Sequence, residues 1–162
     1  MNTIKLRPII TVEEKNTFVS EIQEAFQISY VSEFGEFEKQ VLPAEDIEES
    51  FNAKGAEAYI AEIDGERIGG AVIVIDDKTG YNSLHLLYVK SSAQNAGNGF
   101  KIWKAIEELH PETKIWETHT PYYDKRNIHF YVNRCGFKIV EFFNPKHKDP
   151  HQIGETAGNI PK

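Results

Sequence analysis

A buried strand that runs through a glycine-containing turn into a helix is the feature of this sequence that most limits its fold. Residues Tyr81–Val89 are apolar on both faces, which is typical of a strand covered on both sides. A helix begins near Gly97 and ends at His110, because Pro111 disfavours helical geometry in the residue before it. Strand, turn and helix are therefore consecutive, and we expect the strand to be central in a sheet.

The segments before this strand predict an antiparallel hairpin. Residues 58–63 and 67–75 are rich in β-formers, and Asp64-Gly65 between them is a dipeptide that favours a tight turn. Three further segments have strand character, namely residues 4–7, which end at a proline, residues 114–118 and residues 137–143.

Helical signals lie before the hairpin and after the central unit. Thr11 and Glu14 form a capping-box pattern that predicts a first helix of about five turns. A short second helix is expected after Pro43, in an acidic stretch, and another helix over residues 125–134, with Gly136 as its left-handed C-cap. The apolar residues of the first helix recur at helical spacing: Phe18, Val19, Ile22, Phe26 and Tyr30.

Length and composition favour one domain. The chain has 162 residues, of which 40% are hydrophobic, enough for a single core. We expect this domain to span residues 1–143, and residues 144–162, which contain prolines and glycines without an apolar period, to be a tail or arm. The tail prolines and the exposed ends of such a sheet are compatible with a homodimer.

The charge and the cysteine usage exclude several classes of protein. The net charge of −7 argues against nucleic-acid binding. No apolar run approaches the ~20 residues that span a bilayer, and the N-terminus lacks a signal-peptide core, so we expect a cytoplasmic protein without a membrane segment. Cys135 is the only cysteine, and no CxxC or HExxH pattern is present, so no metal site is predicted.

The turn after the central strand is suited to bind an anion. Glycines at positions 97 and 99 let the backbone approach a ligand closely, and the N–H groups at a helix N-terminus suit a pyrophosphate. The turn lacks the lysine and hydroxyl ending of a Walker loop and the GxGxxG spacing of dinucleotide-binding proteins. A turn of this kind can also be purely structural.

A second pattern lies near the C-terminus. A four-residue spacing places Asn127 and Tyr131 on one helix face, where an amide and a phenol could act together. The alternative is that Tyr131 is an ordinary core aromatic.

Together the two segments resemble the GNAT-type acetyltransferases, which use acetyl-CoA. In that family a Q/R-x-x-G-x-G/A loop after the fourth strand holds the pyrophosphate of CoA, and residues 94–99 fill every fixed position. Phe130-Tyr131, followed by Gly136-Phe137, is similar to the second signature of the family. The resemblance covers roughly residues 58–143.

The resemblance implies an α/β (α+β) fold with a mixed, largely antiparallel central sheet flanked by helices. It implies that the fourth and fifth strands splay apart, that pantetheine lies between them, and that acetyl-CoA is the co-substrate. Asp124 stands where the family usually has asparagine, and Gln94 replaces the commoner arginine. The cofactor-binding residues implied are Leu87, Tyr88, Val89, Gln94, Asn95, Ala96, Gly97, Asn98, Gly99, Asn127 and Tyr131.

The resemblance also assigns catalytic candidates. Tyr131 would protonate the departing CoA thiolate or donate a hydrogen bond to its sulfur. His85 is the candidate base, because imidazole titrates near neutral pH and period-two alternation predicts that it shares a face with Leu87 and Val89. The alternative for His85 is a satisfied core histidine. Glu117, with His119, is the second choice, relaying the proton through water.

The acceptor is expected to be a small amine attacked directly in a ternary complex. Phe26, Tyr30, Phe34 and Phe37 lie among glutamates and could form a wall for a cationic amine, although such stripes also occur as half core and half solvated surface. The alternative functions are a non-catalytic CoA-binding regulatory module and acetylation of a protein N-terminus or lysine.

Overall fold

The structure, a computed structural model, describes residues 3–36, 38–94, 96–120 and 125–140. The chain divides into two compact units, Met1–Thr118 and His119–Lys162. The predicted tail lies outside the described residues.

The first unit contains a five-stranded sheet in the order β1-β2-β3-β4-β5. All neighbouring strands are antiparallel except β4 and β5, which are parallel. The predicted mixed, largely antiparallel sheet is therefore confirmed. The strands are β1 (Ile4–Pro8), β2 (Ala56–Ile63), β3 (Glu66–Val74), β4 (Tyr81–Val89) and β5 (Ile115–Thr118).

The predicted hairpin joins β2 and β3. Asp64 and Gly65 have φ angles of 52° and 81°, so both central residues of the turn are left-handed. This is the backbone of a type I′ turn, whose twist matches that of the two strands. The turn fixes the β2–β3 pairing, which begins with Ile63 opposite Glu66.

Two helices cover one face of the sheet. Helix α1 (Val12–Phe34) begins with the predicted capping box of Thr11 and Glu14, and α2 (Ala44–Asn52) follows Pro43 as predicted. The core between these helices and the sheet is apolar, and its burial is the main stabilising contribution to this layer. Its buried members are Phe18, Ile22, Ala25, Leu42, Ile47, Val72, Leu86 and Tyr88.

Helix α3 (Asn98–Leu109) packs on the opposite face. The rings of Trp103 on α3 and Trp116 on β5 make an edge contact with centroids 5.3 Å apart. A Cβ at Gly69 on β3 would collide with the Tyr88 carbonyl oxygen on β4 and would lie 3.2 Å from the Ile102 side chain on α3, so glycine is required at this position. The sheet is thus flanked by helices on both faces.

The pairing of β4 with β5 covers only part of β4. It runs from Tyr81 opposite Ile115 to Leu84 opposite Thr118, and β4 then continues to Val89. The last five residues of β4 therefore extend beyond the ladder with β5, as the predicted splay of these strands requires.

In the second unit, α4 (Lys125–His129) passes directly into a π-helical turn, Phe130–Arg134. Gly136 has a φ of 86° and ends this helical segment in the predicted left-handed conformation. The predicted strand over residues 137–143 is wrong for residues 137–140, which carry no strand, while residues 141–143 lie outside the described part. Alternation of apolar residues cannot by itself supply the neighbouring strand that a ladder needs.

Of the helices in the described ranges, none is long and apolar enough to cross a bilayer.

Candidate active site

The chain between β4 and α3 forms a compact loop held by two side-chain amides. It passes through a 3-10 turn, Ser91–Ala93. The amide of Gln94 donates to the Val89 carbonyl at 3.0 Å, and the amide of Asn98 donates to the Ala93 carbonyl at 2.9 Å. These bonds fix the loop against the end of β4 at one side and against α3 at the other.

Gly97 is the N-cap of α3 and is left-handed, with φ 73° and ψ 13°. A side chain at this position would be strained whatever the space around it, which is why glycine is required. Gly97 has no capping side chain, and the first turn of α3 contains no acidic residue. The first N–H groups of α3 and the positive end of its dipole are therefore suited to an anion.

On the edge of β4 that faces away from β3, every second residue points its backbone N–H and carbonyl outwards. The Lys90 N–H donates to the Ile68 carbonyl at 2.8 Å, so Lys90 and, two residues earlier, Tyr88 point their backbone groups towards β3. Leu87 and Val89 point theirs towards the opposite edge, beyond the end of the β5 ladder. The Val89 carbonyl already accepts a hydrogen bond from the Gln94 side chain. Leu87 is therefore the residue whose N–H and carbonyl both point away from β3.

Tyr88 differs from its neighbours because its side chain belongs to a partly buried network of hydrogen bonds. Its phenol donates to Glu21 on α1 at 2.7 Å, and Arg67 on β3 donates to both oxygens of the same carboxylate, from Nε to Oε1 at 3.0 Å and from Nη2 to Oε2 at 2.8 Å. Burial alone would raise the pKa of Glu21, but the hydrogen bonds from Arg67 and Tyr88 outweigh it and lower the pKa. Burial, together with the bond to Glu21, raises the pKa of Tyr88.

His85 is the extra residue of a β-bulge in β4. Val72 lies opposite Leu86 and Ile73 opposite Leu84, so His85 has no partner of its own on β3. Its ring is exposed, and Nδ1 lies 3.4 Å from the Ser50 hydroxyl on α2. The prediction that His85 shares a face with Leu87 and Val89 is wrong, because the bulge shifts the alternation and turns His85 towards α2. Because His85 is exposed, the alternative that it is a core histidine is also wrong.

Glu117 lies on the same face of the sheet as His85. Trp116 packs against α3, so the next residue of β5 points to the other side, the side of α1 and α2. Glu117 is exposed and lies opposite Ser83, two residues before His85 on the neighbouring strand. The structure thus brings these two candidates for proton transfer to one face. His119 belongs to the second unit.

In the second unit Tyr131 is buried, with 8% of its surface exposed, inside the π-helical turn. Its ring makes an edge contact with Phe137, at 5.7 Å between centroids, and a tilted contact with Phe130, at 5.3 Å. The Tyr131 carbonyl accepts from the Phe137 N–H at 2.9 Å, which folds the chain back at Gly136. Asn127 lies on α4, just before this turn, and is half-buried.

The aromatic residues of α1 extend from the core towards solvent. Phe26 packs against the buried cluster, whereas the rings of Tyr30 and Phe34 contact each other at 4.9 Å and Phe34 is half exposed. Phe37 lies outside the described residues, as does Asn95 in the loop after β4.

Sequence reasoning missed Ser50 and the network of Glu21, Arg67 and Tyr88. These contacts join residues that are 35 to 67 positions apart, and no local spacing announces them. Local signals were present only for the turn from β4 to α3 and for the helical segment that carries Tyr131.

The sequence model of the acetyltransferase (GNAT) family matches residues 19–137. The chain belongs to the GNAT acetyltransferase family. It is 50% identical over 135 residues to the uncharacterized protein YrkN of Bacillus subtilis (strain 168), a match that covers 83% of this chain and 73% of that protein.

Solved GNAT structures have the same fold at low sequence identity. A Bacillus subtilis acetyltransferase in complex with CoA superimposes with a TM-score of 0.63 at 19% identity, covering 94% of this chain and 89% of that one. A GNAT acetyltransferase from Elizabethkingia anophelis with acetyl-CoA bound gives a TM-score of 0.63 at 17% identity, covering 98% and 92%. These similarities confirm the GNAT fold.

Proposed function

We propose that this GNAT protein is an N-acetyltransferase that transfers the acetyl group of acetyl-CoA to a primary amine of a small molecule, by direct attack in a ternary complex. The observation that carries the proposal is the loop from β4 to α3. There a left-handed Gly97 opens the N-terminus of α3 next to the outward-facing backbone of Leu87.

In this proposal the backbone of residues 94–99 holds the pyrophosphate at the start of α3, and Leu87 pairs with pantetheine amides as an added strand would. The Gln94 side chain acts mainly by holding the end of β4, since its amide is bonded to Val89. Asn98 closes the same loop from the helix side. Asn95, Ala96, Gly99 and Asn127 are the other proposed contacts of the cofactor.

The proposed reaction needs one proton acceptor and one proton donor. His85 removes a proton from the acceptor ammonium, and the free amine then attacks the thioester carbon. The attack forms the C–N bond, and as the C–S bond then breaks, Tyr131 donates its proton to the CoA thiolate. The second proton that the nitrogen loses passes to the Tyr131 phenolate, so the products are the neutral amide and CoA thiol, with one proton left on His85. Glu117, on the same face of the sheet as His85, is the alternative acceptor of the first proton, acting through water.

We propose a cationic amine as the acceptor. The rings of Tyr30 and Phe34 contact each other at the end of α1, and exposed carboxylates of Glu33 and Glu36 lie on and just after the same turn. Aromatic faces attract ammonium groups, and the carboxylates add to that attraction.

The test is calorimetric titration of the full chain with acetyl-CoA and CoA, followed by thiol release with a panel of amines. We expect binding in the micromolar range and turnover with at least one cationic amine. Binding without thiol release on small amines, N-terminal peptides or lysine peptides would favour a non-catalytic CoA-binding module. An absence of binding would overturn the assignment of the loop.

A further inference from the structure

We propose that Thr118 on β5 is a positioning residue for His85, and that it acts by holding the peptide group between Leu84 and His85. This inference rests on the proposed function, because it assigns a support to the proposed base. The observation behind it is the hydrogen bond that the Thr118 hydroxyl donates to the Leu84 carbonyl, at 2.9 Å. That carbonyl and the His85 N–H belong to one planar peptide group, so fixing the direction of one fixes the direction of the other.

The bulge in β4 leaves this peptide group with a freedom that the flanking residues lack. Leu84 and Leu86 lie opposite Ile73 and Val72 on β3, and all four side chains are buried. His85 between them has no partner on β3, so the ladder that fixes its neighbours does not fix its own backbone. The peptide groups on either side of His85 can therefore rotate while the Cα atoms of the two leucines stay in place. Such a rotation would turn the Cα–Cβ bond of His85 and change where the imidazole points.

Strand β5 is anchored well enough to supply a fixed donor. Just before its start, the Lys114 N–H donates to the Gly80 carbonyl at 2.8 Å. In its middle, the ring of Trp116 packs against α3. Thr118 itself is half-buried and lies opposite Leu84 in the last pair of the β4–β5 ladder. The Thr118 hydroxyl therefore reaches the bulge from a strand that is held along its length up to that pair.

The direct test is backbone NMR of the full chain, read at the ¹³C resonance of the Leu84 carbonyl and the ¹⁵N resonance of the His85 amide. Thr118→Val replaces the hydroxyl by a methyl group and keeps the β-branched shape that strands favour, so the variant should fold. A hydrogen bond polarises the group that accepts it, so we expect both resonances to move upfield in Thr118→Val and to stay near their wild-type values in Thr118→Ser. Unmoved resonances in Thr118→Val would overturn the inference.

Thr113, just before β5, provides the matched control. Its hydroxyl also donates to a backbone carbonyl, that of His110 at 2.8 Å, and it accepts from the buried Asn82 side chain at 2.7 Å. Thr113→Val should therefore destabilise the fold at least as much as Thr118→Val, while the resonances of the Leu84–His85 peptide and kcat stay unchanged. An equal loss of kcat in the two variants would mean that lost stability lowers the rate, which would overturn the inference.

Turnover provides the second readout. Thr118→Val should lower kcat about ten-fold, because a misplaced base loses part of its contribution, with KM for acetyl-CoA within about two-fold and Thr118→Ser restoring the rate. In a His85→Ala background Thr118→Val should lower kcat no further, because no base is left to position. The same ten-fold loss in that background would overturn the inference, as would an unchanged kcat in the wild-type background. Shifted resonances in a chain that acetylates no amine would instead refute the proposed function and leave the contact standing.

Discussion

Replacing Tyr131 with phenylalanine removes the proposed proton donor and keeps the aromatic ring. Its ring is packed between Phe130 and Phe137, and phenylalanine retains that packing. We expect Tyr131→Phe to lower kcat by about a hundred-fold or more, the usual effect of losing a general acid, while the Kd for acetyl-CoA changes little. Steady-state kinetics and calorimetry measure the two quantities.

The control for Tyr131→Phe is Tyr59→Phe on β2. It also removes a hydrogen-bonded phenol, which donates to Glu57 at 2.7 Å, but at a position without a proposed catalytic role. An equal loss of kcat in the two variants would remove Tyr131 from the mechanism.

At Gly97 the effect of backbone conformation can be tested without a steric clash. A Cβ at this position meets no atom within 4 Å, so Gly97→Ala adds only the strain of a left-handed alanine, about 1–2 kcal/mol of unfolding free energy. Because that strain favours a different start for α3, we expect a weaker affinity for acetyl-CoA, by about ten-fold. Urea unfolding and calorimetry give the two numbers.

Gly65 provides the matched control, since its φ is 81° and a Cβ there also meets nothing within 4 Å. Gly65→Ala should cost a similar unfolding free energy at the tip of the β2–β3 hairpin and leave the affinity for acetyl-CoA unchanged. If both variants lost affinity equally, the loss would follow from stability and not from the loop.

At the scale of whole elements, the C-terminal end of α3 is tied to β2 through His110. The ring of His110 contacts Glu57 on β2 through Nε2 at 2.8 Å and Glu112 through Nδ1 at 3.0 Å. Burial opposes the charged form, but the hydrogen bonds to the two carboxylates outweigh it and raise the pKa of His110. Only the imidazolium can donate to both carboxylates.

A raised pKa in the folded state makes this contact pH-dependent. Its contribution is fully present below the unfolded-state pKa of about 6.5 and is lost as the pH rises through the higher folded-state value. We expect the Tm advantage of the wild type over His110→Gln to be largest near pH 5.5 and to shrink by pH 8.5. Glu57→Gln should flatten the same difference, whereas parallel Tm curves for wild type and His110→Gln would contradict this role.

The elements whose signals are local were predicted well. The Thr11–Glu14 capping box marks the start of α1, Asp64-Gly65 forms the hairpin turn, and Gly97 begins α3. The face of His85 was not predictable, because a bulge is defined by the pairing of β4 with β3 and not by β4 alone. The strand predicted over residues 137–140 was wrong for a related reason. Alternating apolar residues indicate which side of a segment is apolar, but they do not provide the neighbouring strand with which it must pair.

The candidate site was also predictable only where its residues carry a local sequence signal. The loop that we propose binds the cofactor is one continuous segment with a recognisable spacing, so residues 94–99 could be predicted as that loop from the sequence. Ser50 could not, because it reaches His85 only after α2 has packed on the sheet. The role of Gln94 at the end of β4 likewise depends on where the loop returns.

At the scale of the whole molecule, a partly buried network joins α1, β3 and β4 next to the loop that we propose binds the cofactor. Glu21 accepts from Arg67 and from Tyr88, whose residue is only 3% exposed. Removing the carboxylate leaves the Tyr88 phenol without that acceptor in the interior, and an unsatisfied buried donor costs about 1–3 kcal/mol. The stability cost of losing Glu21 should therefore depend on whether Tyr88 still has a hydroxyl.

A double-mutant cycle of Glu21→Ala and Tyr88→Phe measures that dependence by urea unfolding. We expect the double variant to lose less free energy than the sum of the single variants, by about 1–2 kcal/mol, because phenylalanine has no hydroxyl to strand. Glu33→Ala, at an exposed site on α1, should be additive with Tyr88→Phe within about 0.5 kcal/mol. Additivity of the Glu21 and Tyr88 variants would mean that packing of the helix, and not this network, holds α1 to the end of β4.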